Sequence, residues 1–223
     1  MKNKIRPPIA SLQFITLDDH VDSPVRQSLM ACQAGVRWIQ LRMKGANKSD
    51  RLQAAKRIRK ICDDYQARLI INDHLDIALE ASADGLHLGQ QDLPLAQARQ
   101  AAGKLLLGGT ANTPRQALEA VAQGADYIGA GPFRFTSTKK NLSPILGIGG
   151  LETILNRLAQ ENVSTPVIAV GGIGIKDLPE LLALPLHGIA VAGMLARAPD
   201  PAALVAKIEK HFTNRESHVE TGR

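Results

Sequence analysis

The stretch ASADGLHLG, residues 81–89, ends an alanine-rich segment at a small residue and then enters a short apolar run. The same pattern occurs in QAGVRWIQL, residues 33–41, and in AQGADYIGA, residues 122–130. A helix that ends at a small residue or glycine and leads directly into a strand is typical of the layered α/β folds, in which the strands are parallel. The three stretches therefore indicate a helix-then-strand unit that the chain uses repeatedly.

Short apolar or β-branched runs alternate with segments of helical periodicity eight times along the chain. Eight units in 223 residues leave about 28 residues for each, which is the size of a compact βα repeat. The sequence therefore predicts a single (β/α)8, or TIM, barrel, with a doubly wound open sheet as the alternative that would normally use fewer strands. The predicted strands are residues 14–17, 38–42, 68–72, 85–89, 105–110, 127–131, 166–172 and 188–193.

The predicted barrel occupies a single domain over residues 1–223. Residues 1–12 precede the first predicted strand and are interpreted as an N-terminal extension. Residues 213–223 are polar and are predicted to fray, as chain ends commonly do.

The composition limits the kinds of core and of ligand that the protein can have. Apolar residues make up 44% of the chain and aromatic residues 3%, so the core must consist of Ala, Leu, Ile and Val. Lys and Arg number 27 against 21 Asp and Glu, an excess that fits nucleic acid, an anionic surface or a phosphorylated small substrate. Because the charge is spread along the chain without a basic stripe of interleaved aromatic residues, we expect phosphorylated small molecules and no nucleic acid.

The cysteines and the first residues bear on the compartment. Cys32 and Cys62 lie in separate helical stretches without the spacing of metal ligands, so we expect buried thiols in a reducing compartment. The first ten residues lack the apolar run of a signal peptide, and no stretch approaches the ~20 apolar residues of a membrane span. We therefore expect a cytoplasmic protein with no membrane partner, and a homo-oligomer stays open.

Polar side chains collect where the predicted strands end, which is the active-site face of such a barrel. Gln40, Arg42 and Lys44 are spaced by two, so on an extended segment they project to one side, where they would meet an anion or an ion-pair network with carboxylates. Asp73 and Asp92 could supply those carboxylates, yet they also suit Mg²⁺, which takes one or two carboxylates together with phosphate oxygens. Cations and carboxylates together predict a metal-bound polyphosphate.

Glycines after the seventh and eighth predicted strands indicate a second anion site. The loops there, AVGGIG at 169–174 and VAGM at 191–194, resemble the places where these barrels commonly hold phosphate on backbone N–H groups. GPFRFTSTKKN, residues 131–141, lies between the two sites and is interpreted either as a plain surface loop or as a source of hydroxyls for one site and of Lys139 for the other. His87 faces inward and is interpreted as a core histidine rather than a catalytic base.

Five motifs stand in a characteristic order along the chain, namely IQLRMK, INDHLDIALEASADGLHLGQQDLP, GADYIGAGPFRFTSTKK, VIAVGGI and GIAVAGML. With these motifs the chain, from about Phe14 to Phe212, resembles the thiamine phosphate synthase family, also called thiamine-phosphate pyrophosphorylase. The resemblance implies a (β/α)8 barrel that uses Mg²⁺. It also implies a reaction that joins 4-amino-5-hydroxymethyl-2-methylpyrimidine diphosphate to 4-methyl-5-(2-phosphoethyl)thiazole and releases thiamine phosphate and diphosphate.

The resemblance also implies roles for individual residues. Arg42, Lys44, Thr110 and Lys139 match the residues expected to be catalytic, and Asp73 and Asp92 match the metal ligands. The positions that match the pyrimidine diphosphate site are Gln40, Leu41, Arg42, Met43, Lys44, Asn72, Thr110 and Lys139. Those that match the thiazole phosphate site are Thr136, Ser137, Thr138, Gly172, Ala192 and Gly193.

Three departures from the family pattern stand at these sites. Thr110 stands where serine is common, which keeps the hydroxyl. Met43 replaces a carboxylate, but it should face away from Arg42 and Lys44, so little loss of diphosphate binding is expected. Gly193 stands where the family often has serine, so one side-chain contact to the thiazole phosphate is missing while the backbone N–H remains.

Two other functions are weighed against the synthase. A thiazole tautomerase, from a related group of barrels, needs an acid or base but no cationic diphosphate site, and the intact QLRMK, ND and TKK segments disfavour it. A non-catalytic sensor of phosphorylated ligands would have no use for two aspartates suited to a metal. Dependence on magnesium would separate these functions.

Overall fold

The computed structural model of the protein describes residues 9–136 and 143–220, with the side chains of residues 9–136 and 143–213. Eight parallel strands form a closed barrel in the order β1 to β8, and β8 pairs with β1. The predicted TIM barrel is confirmed, and the open doubly wound sheet is wrong. The strands are β1 Leu12–Ile15, β2 Trp38–Leu41, β3 Arg68–Asn72, β4 Gly85–Leu88, β5 Leu106–Ala111, β6 Tyr127–Ala130, β7 Val167–Val170 and β8 Gly188–Val191.

Helices follow the strands and surround the barrel. The side chains of Ser23, Asn47 and Thr113 accept hydrogen bonds from backbone N–H groups of the first turns of the helices after β1, β2 and β5. Among the described residues, no helix is long and apolar enough to cross a membrane. The helices are α1 Pro24–Gln33, α2 Lys48–Asp64, α3 Leu75–Glu80, α4 Leu95–Ala102, α5 Pro114–Ala122, α6 Gly147–Gln160, α7 Leu178–Leu182, α8 Gly193–Ala196 and α9 Pro201–Glu220, with a 3-10 turn at Ile175–Asp177.

Both ends of the chain differ from the expectation. β1 begins at Leu12, two residues before the predicted strand, and Ile9 and Ala10 pack against the barrel interior, so the proposed N-terminal extension takes part in the barrel. α9 continues to Glu220 and thus includes most of the segment that was predicted to fray.

The strands separate two cores. Side chains that point outward, such as Phe14 and Leu41, pack against the helices in a large outer core. Inward-pointing side chains of the strands form a smaller inner cluster around Trp38, Ile70 and Tyr127. Cys32 and Cys62 are buried in the outer core as free thiols, as predicted.

An aspartate in two of the three repeated stretches explains why the helix-then-strand unit recurs. Asp84 accepts a hydrogen bond from Leu69 N–H at 2.7 Å and pairs with Arg59 of α2 at 2.6 Å. Asp126 accepts a hydrogen bond from Leu107 N–H at 2.7 Å and pairs with Arg99 of α4 at 2.5 Å. Each aspartate therefore ties its own strand to the preceding strand and to the helix that leads into that preceding strand, at the barrel end opposite the predicted active site.

Candidate active site

A cavity of about 470 Å³ opens at the carboxyl ends of the strands, where the active site was predicted. It lies between the ends of β1 and β2 on one side and the segments that follow β6, β7 and β8 on the other. The side chain of Phe135 lies at its edge and is 72% exposed, which is unusual for a large apolar residue. The predicted site residues among those that line it are Arg42, Thr136, Gly172, Ala192 and Gly193.

Glycine is required in the loop after β7. Gly171 and Gly172 have φ of +96° and +68°, a conformation that other residues rarely adopt. A Cβ on Gly172 would lie 2.5 Å from the carbonyl oxygen of Phe135, so the two loops could not approach as closely with any other residue. The glycine pair thus brings the segment after β6 against the loop after β7, as a phosphate site on backbone N–H groups would need.

Arg42 lies at the boundary between this cavity and the end of β2. Its side chain is 13% exposed, and Nη1 lies 3.3 Å from Oδ2 of Asp18. The buried hydroxyl of Thr16 accepts a hydrogen bond from Arg42 N–H at 2.9 Å and donates one to the Arg42 carbonyl at 3.1 Å, which ties the end of β1 to that of β2. A fixed backbone and a nearly buried guanidinium suit Arg42 to hold an anion in the cavity.

The predicted metal ligands lie together at the ends of β3 and β4. The Asp73 backbone has a left-handed φ of +66°, and its N–H donates to the His87 carbonyl at 2.9 Å. Asp92 accepts a hydrogen bond from Gly89 N–H at 2.6 Å. Burial, followed by the hydrogen bond and charge of Asp92, raises the pKa of Asp73 to about 6, and the nearby Lys44 partly offsets this rise.

Two adjacent carboxylates whose negative charges oppose each other fit a divalent cation. The described residues contain no group of three or more His, Cys, Asp or Glu side chains that could hold a metal. Asp73 and Asp92 would therefore provide the protein's share of the ligands, and water and phosphate oxygens would complete the shell, which is the usual arrangement for Mg²⁺. The alternative ion-pair network is also present in part, since Nζ of Lys44 lies 3.2 Å from Oδ2 of Asp73.

Below the site, polar side chains inside the barrel bond to one another. The Thr110 hydroxyl lies 3.0 Å from Nε2 of His87, and the other ring nitrogen of His87 lies 3.1 Å from the hydroxyl of Tyr127. Gln40 is 2% exposed, and its Nε2 donates to Gln13 at 3.4 Å. Both nitrogens of His87 are thus occupied, which agrees with a core histidine, but its bond to Thr110 links it to a predicted catalytic residue.

Not every predicted site residue faces the barrel opening. Leu41 is 1% exposed and belongs to the outer core, so its side chain points away from the site and the prediction is wrong for that side chain. Met43 also packs against the outer core, and its carbonyl accepts hydrogen bonds from Arg51 at 3.0 and 3.2 Å. Because side chains alternate along an extended chain, both lie opposite Gln40, Arg42 and Lys44.

Of the remaining predicted site residues, the structure describes some and not others. Asn72 ends β3 and is half-buried beside the proposed metal ligands. Ser137, Thr138 and Lys139 lie outside the described residues, so their predicted roles stay predictions. Sequence reasoning missed Asp18, although it directly follows the predicted first strand, and it missed Arg197, which lines the cavity from one turn beyond β8.

Fold and site together define an enzyme-like (β/α)8 barrel that carries cations, paired carboxylates and glycine loops for phosphorylated ligands at one end. Residues 12–195 match the model of the thiamine monophosphate synthase family, and the chain belongs to that family. It is 44% identical to the thiamine-phosphate synthase of Bacteroides thetaiotaomicron over 90% of this chain and 96% of that protein.

A second relative and a solved structure agree with this membership. The thiamine-phosphate synthase of Flavobacterium johnsoniae is 40% identical over 91% of this chain and 97% of that protein. The solved structure of the thiamine phosphate pyrophosphorylase from Pyrococcus furiosus superposes with a TM-score of 0.81 at 31% identity and covers 92% of this chain and 96% of that chain. The chain is therefore an enzyme of the transferase class, as its relatives are.

Proposed function

We propose that the protein joins 4-amino-5-hydroxymethyl-2-methylpyrimidine diphosphate to 4-methyl-5-(2-phosphoethyl)thiazole and releases thiamine phosphate and diphosphate. The observation that carries the proposal is the grouping of cationic side chains, paired carboxylates and glycine loops at one end of the barrel, which suits two bound anions. Lys44 lies with the paired carboxylates at the ends of β3 and β4, while the glycine loops and Arg42 line the neighbouring cavity.

The chemistry of the pyrimidine substrate explains why no protein nucleophile is needed. The amino group of the ring can push electrons toward the exocyclic carbon, so the bond to diphosphate breaks and leaves a stabilised pyrimidine cation. The thiazole nitrogen then donates its electron pair to that carbon. Stabilisation of the departing diphosphate is therefore expected to be the largest catalytic contribution.

The chain's own residues would supply much of that stabilisation. Arg42 and Lys44 bring positive charge to the site, and Lys139 is assigned the same role by its place in the family motif. Thr110, fixed by its hydrogen bond to His87, would bind the pyrimidine substrate beside them. Removing one preorganised donor to a developing negative charge typically costs about 3 to 4 kcal/mol of barrier.

We also propose that Asp73 and Asp92 hold Mg²⁺ when the diphosphate binds. When bound, Mg²⁺ would neutralise charge that develops on the leaving group. The raised pKa of Asp73 supports the assignment, because a carboxylate destabilised by burial and by Asp92 gains from a nearby cation.

The thiazole tautomerase is a weaker candidate. That reaction has no leaving diphosphate and would make no use of the cationic and carboxylate cluster around Lys44 and Asp73.

The two buried free cysteines support our further proposal of a cytoplasmic location, while a homo-oligomer stays a prediction.

The direct test combines purified protein, both phosphorylated substrates and Mg²⁺, and follows thiamine phosphate by chromatography. We expect thiamine phosphate and diphosphate in equal amounts, and only when both substrates are present. Isomerisation of the thiazole without a joined product would favour the tautomerase, and binding without any turnover would favour a sensor.

A further inference from the structure

The side chain of Arg197 reaches the space that a side chain at residue 193 would occupy. α8 is a single turn that begins at Gly193, and Arg197 N–H donates to the Gly193 carbonyl at 3.1 Å. Side chains four residues apart in a helix lie on one face, and the later one leans toward the N-terminus. Accordingly, a Cβ on Gly193 would lie 2.8 Å from Nη1 of Arg197.

The guanidinium of Arg197 is placed to contact a ligand. Arg197 lines the same cavity as Gly172, Gly193 and Arg42. Its side chain is 54% exposed, and its ion pair with Asp19 is a long one, with Nη2 3.6 Å from Oδ2. A guanidinium has five N–H donors in a planar fork, so its side-chain contacts within the described residues leave donors for a phosphate in the cavity.

We propose that Arg197 binds the phosphate of the thiazole substrate in the space beside Gly193. This inference rests on the proposed function. The placement has a physical reason, because glycine at residue 193 leaves the space that the guanidinium fills, whereas a Cβ would displace it. A charged group in that space also strengthens discrimination in favour of a phosphorylated thiazole.

The consequence is specific to one substrate and one kinetic constant. The thiazole phosphate lies remote from the carbon that reacts, so a contact to it contributes equally to the ground state and the transition state. Loss of such a contact raises KM and leaves kcat unchanged. Arg197→Gln should therefore raise KM for thiazole phosphate roughly tenfold, as expected for one charge-assisted hydrogen bond, without changing KM for pyrimidine diphosphate.

The experiment compares two thiazole substrates. The phosphorylated thiazole and the corresponding alcohol, which lacks the phosphate, are each tested with the unaltered protein and with Arg197→Gln. Only the phosphorylated substrate should lose affinity in the variant, in KM and in direct calorimetric binding. An unchanged KM, or an equal loss for both substrates, would overturn the proposal, the latter because it would indicate a structural role.

Two further variants sharpen the test. Arg157→Gln removes an arginine of α6 that has a similar exposure, 50%, pairs with Glu161 just after the helix and does not line the cavity. This variant should behave as the unaltered protein. Gly193→Ser combined with Arg197→Gln should recover part of the lost affinity, since Gly193 does not have a positive φ and the new hydroxyl can occupy the vacated space. A double variant no better than Arg197→Gln would contradict the assignment of both groups to one position.

The proposed function and this inference can fail separately. If the unaltered protein forms no thiamine phosphate, the proposed function is wrong. If it forms thiamine phosphate and Arg197→Gln keeps the normal affinity for the phosphorylated thiazole, the function stands and only the role of Arg197 is wrong.

Discussion

Nζ of Lys44 lies 3.2 Å from Oδ2 of Asp73, so a cation assigned to the diphosphate and a carboxylate assigned to the metal occupy one site. A diphosphate that enters this site would contact both Lys44 and a metal ion held by Asp73 and Asp92. Binding of the metal and binding of the diphosphate should therefore be coupled, each strengthening the other.

The first prediction concerns this coupling. EDTA should abolish turnover, and Asp92→Asn should lower kcat/KM by orders of magnitude, because one of two metal ligands and half of the local negative charge are lost. Asp63→Asn, which alters a half-exposed carboxylate of α2 paired with Arg59, is the control and should keep activity. Titration of Mg²⁺ at several fixed concentrations of the pyrimidine diphosphate measures the coupling. Full activity in metal-free buffer would refute the metal assignment.

The second prediction concerns the glycine loop after β7. Gly172→Ala should raise KM for thiazole phosphate at least tenfold and destabilise the protein by roughly 1 to 3 kcal/mol, because the backbone at φ +68° and the carbonyl of Phe135 both oppose a Cβ. Gly149→Ala is the matched control, since no atom of the residues that the structure describes lies within 4 Å of a Cβ there and the residue lies inside α6. The control should leave KM unchanged and stabilise α6 by about 0.5 to 1 kcal/mol. Equal stability losses for both variants in urea titrations would contradict this account.

Most of the barrel could be predicted from the sequence because parallel strands buried on both sides appear as short apolar runs between helical segments. The first strand was placed two residues late because Gln13, which is 1% exposed inside the barrel, breaks the apolar run. Polar side chains inside a barrel follow from bonds between strands, here to Gln40, and these bonds are not visible in a local pattern.

The candidate site could be predicted where a residue type directly follows a strand, as Arg42 and Asp73 do, or lies in the loop just after one, as Asp92 does. Arg197 could not be predicted in this way. Its contact with the cavity depends on α8 being a single turn, which brings the side chain of Arg197 back over Gly193. Leu41 was included because it lies within a family motif, although strict alternation with Gln40 and Arg42 places it on the outer side.

The third prediction concerns stability at the opposite end of the barrel. Asp84→Asn should cost about 3 to 5 kcal/mol, because the side chain of Asp84 is 1% exposed and its loss of charge removes the buried partner of Arg59, which keeps the half-exposed Asp63. Asp126→Asn changes the equivalent residue of the next repeated stretch, whose side chain is 42% exposed, and should cost no more than about 1 kcal/mol. Urea denaturation of both variants measures the difference. Equal costs would show that burial does not decide the strength of these pairs.

The last prediction concerns the bond between Thr110 and His87. The hydroxyl of Thr110 lies 3.0 Å from Nε2 of His87, whose other nitrogen bonds to Tyr127, so the orientation of the hydroxyl is fixed from inside the barrel. Thr110→Val keeps the shape of the side chain but removes the hydroxyl, and we expect it to weaken pyrimidine diphosphate binding or lower kcat by roughly tenfold or more, the value of a hydrogen bond to a charged group.

Thr110→Ser is the matched control for this change, because it keeps the hydroxyl that His87 orients and removes only a methyl group. It should stay within a fewfold of the unaltered protein in kcat and in KM for both substrates. His87→Gln should fall between the two variants, since the hydroxyl remains but its partner in the barrel changes. If Thr110→Val and Thr110→Ser were equally active, Thr110 would be a packing residue of β5, and His87 would have no link to the reaction.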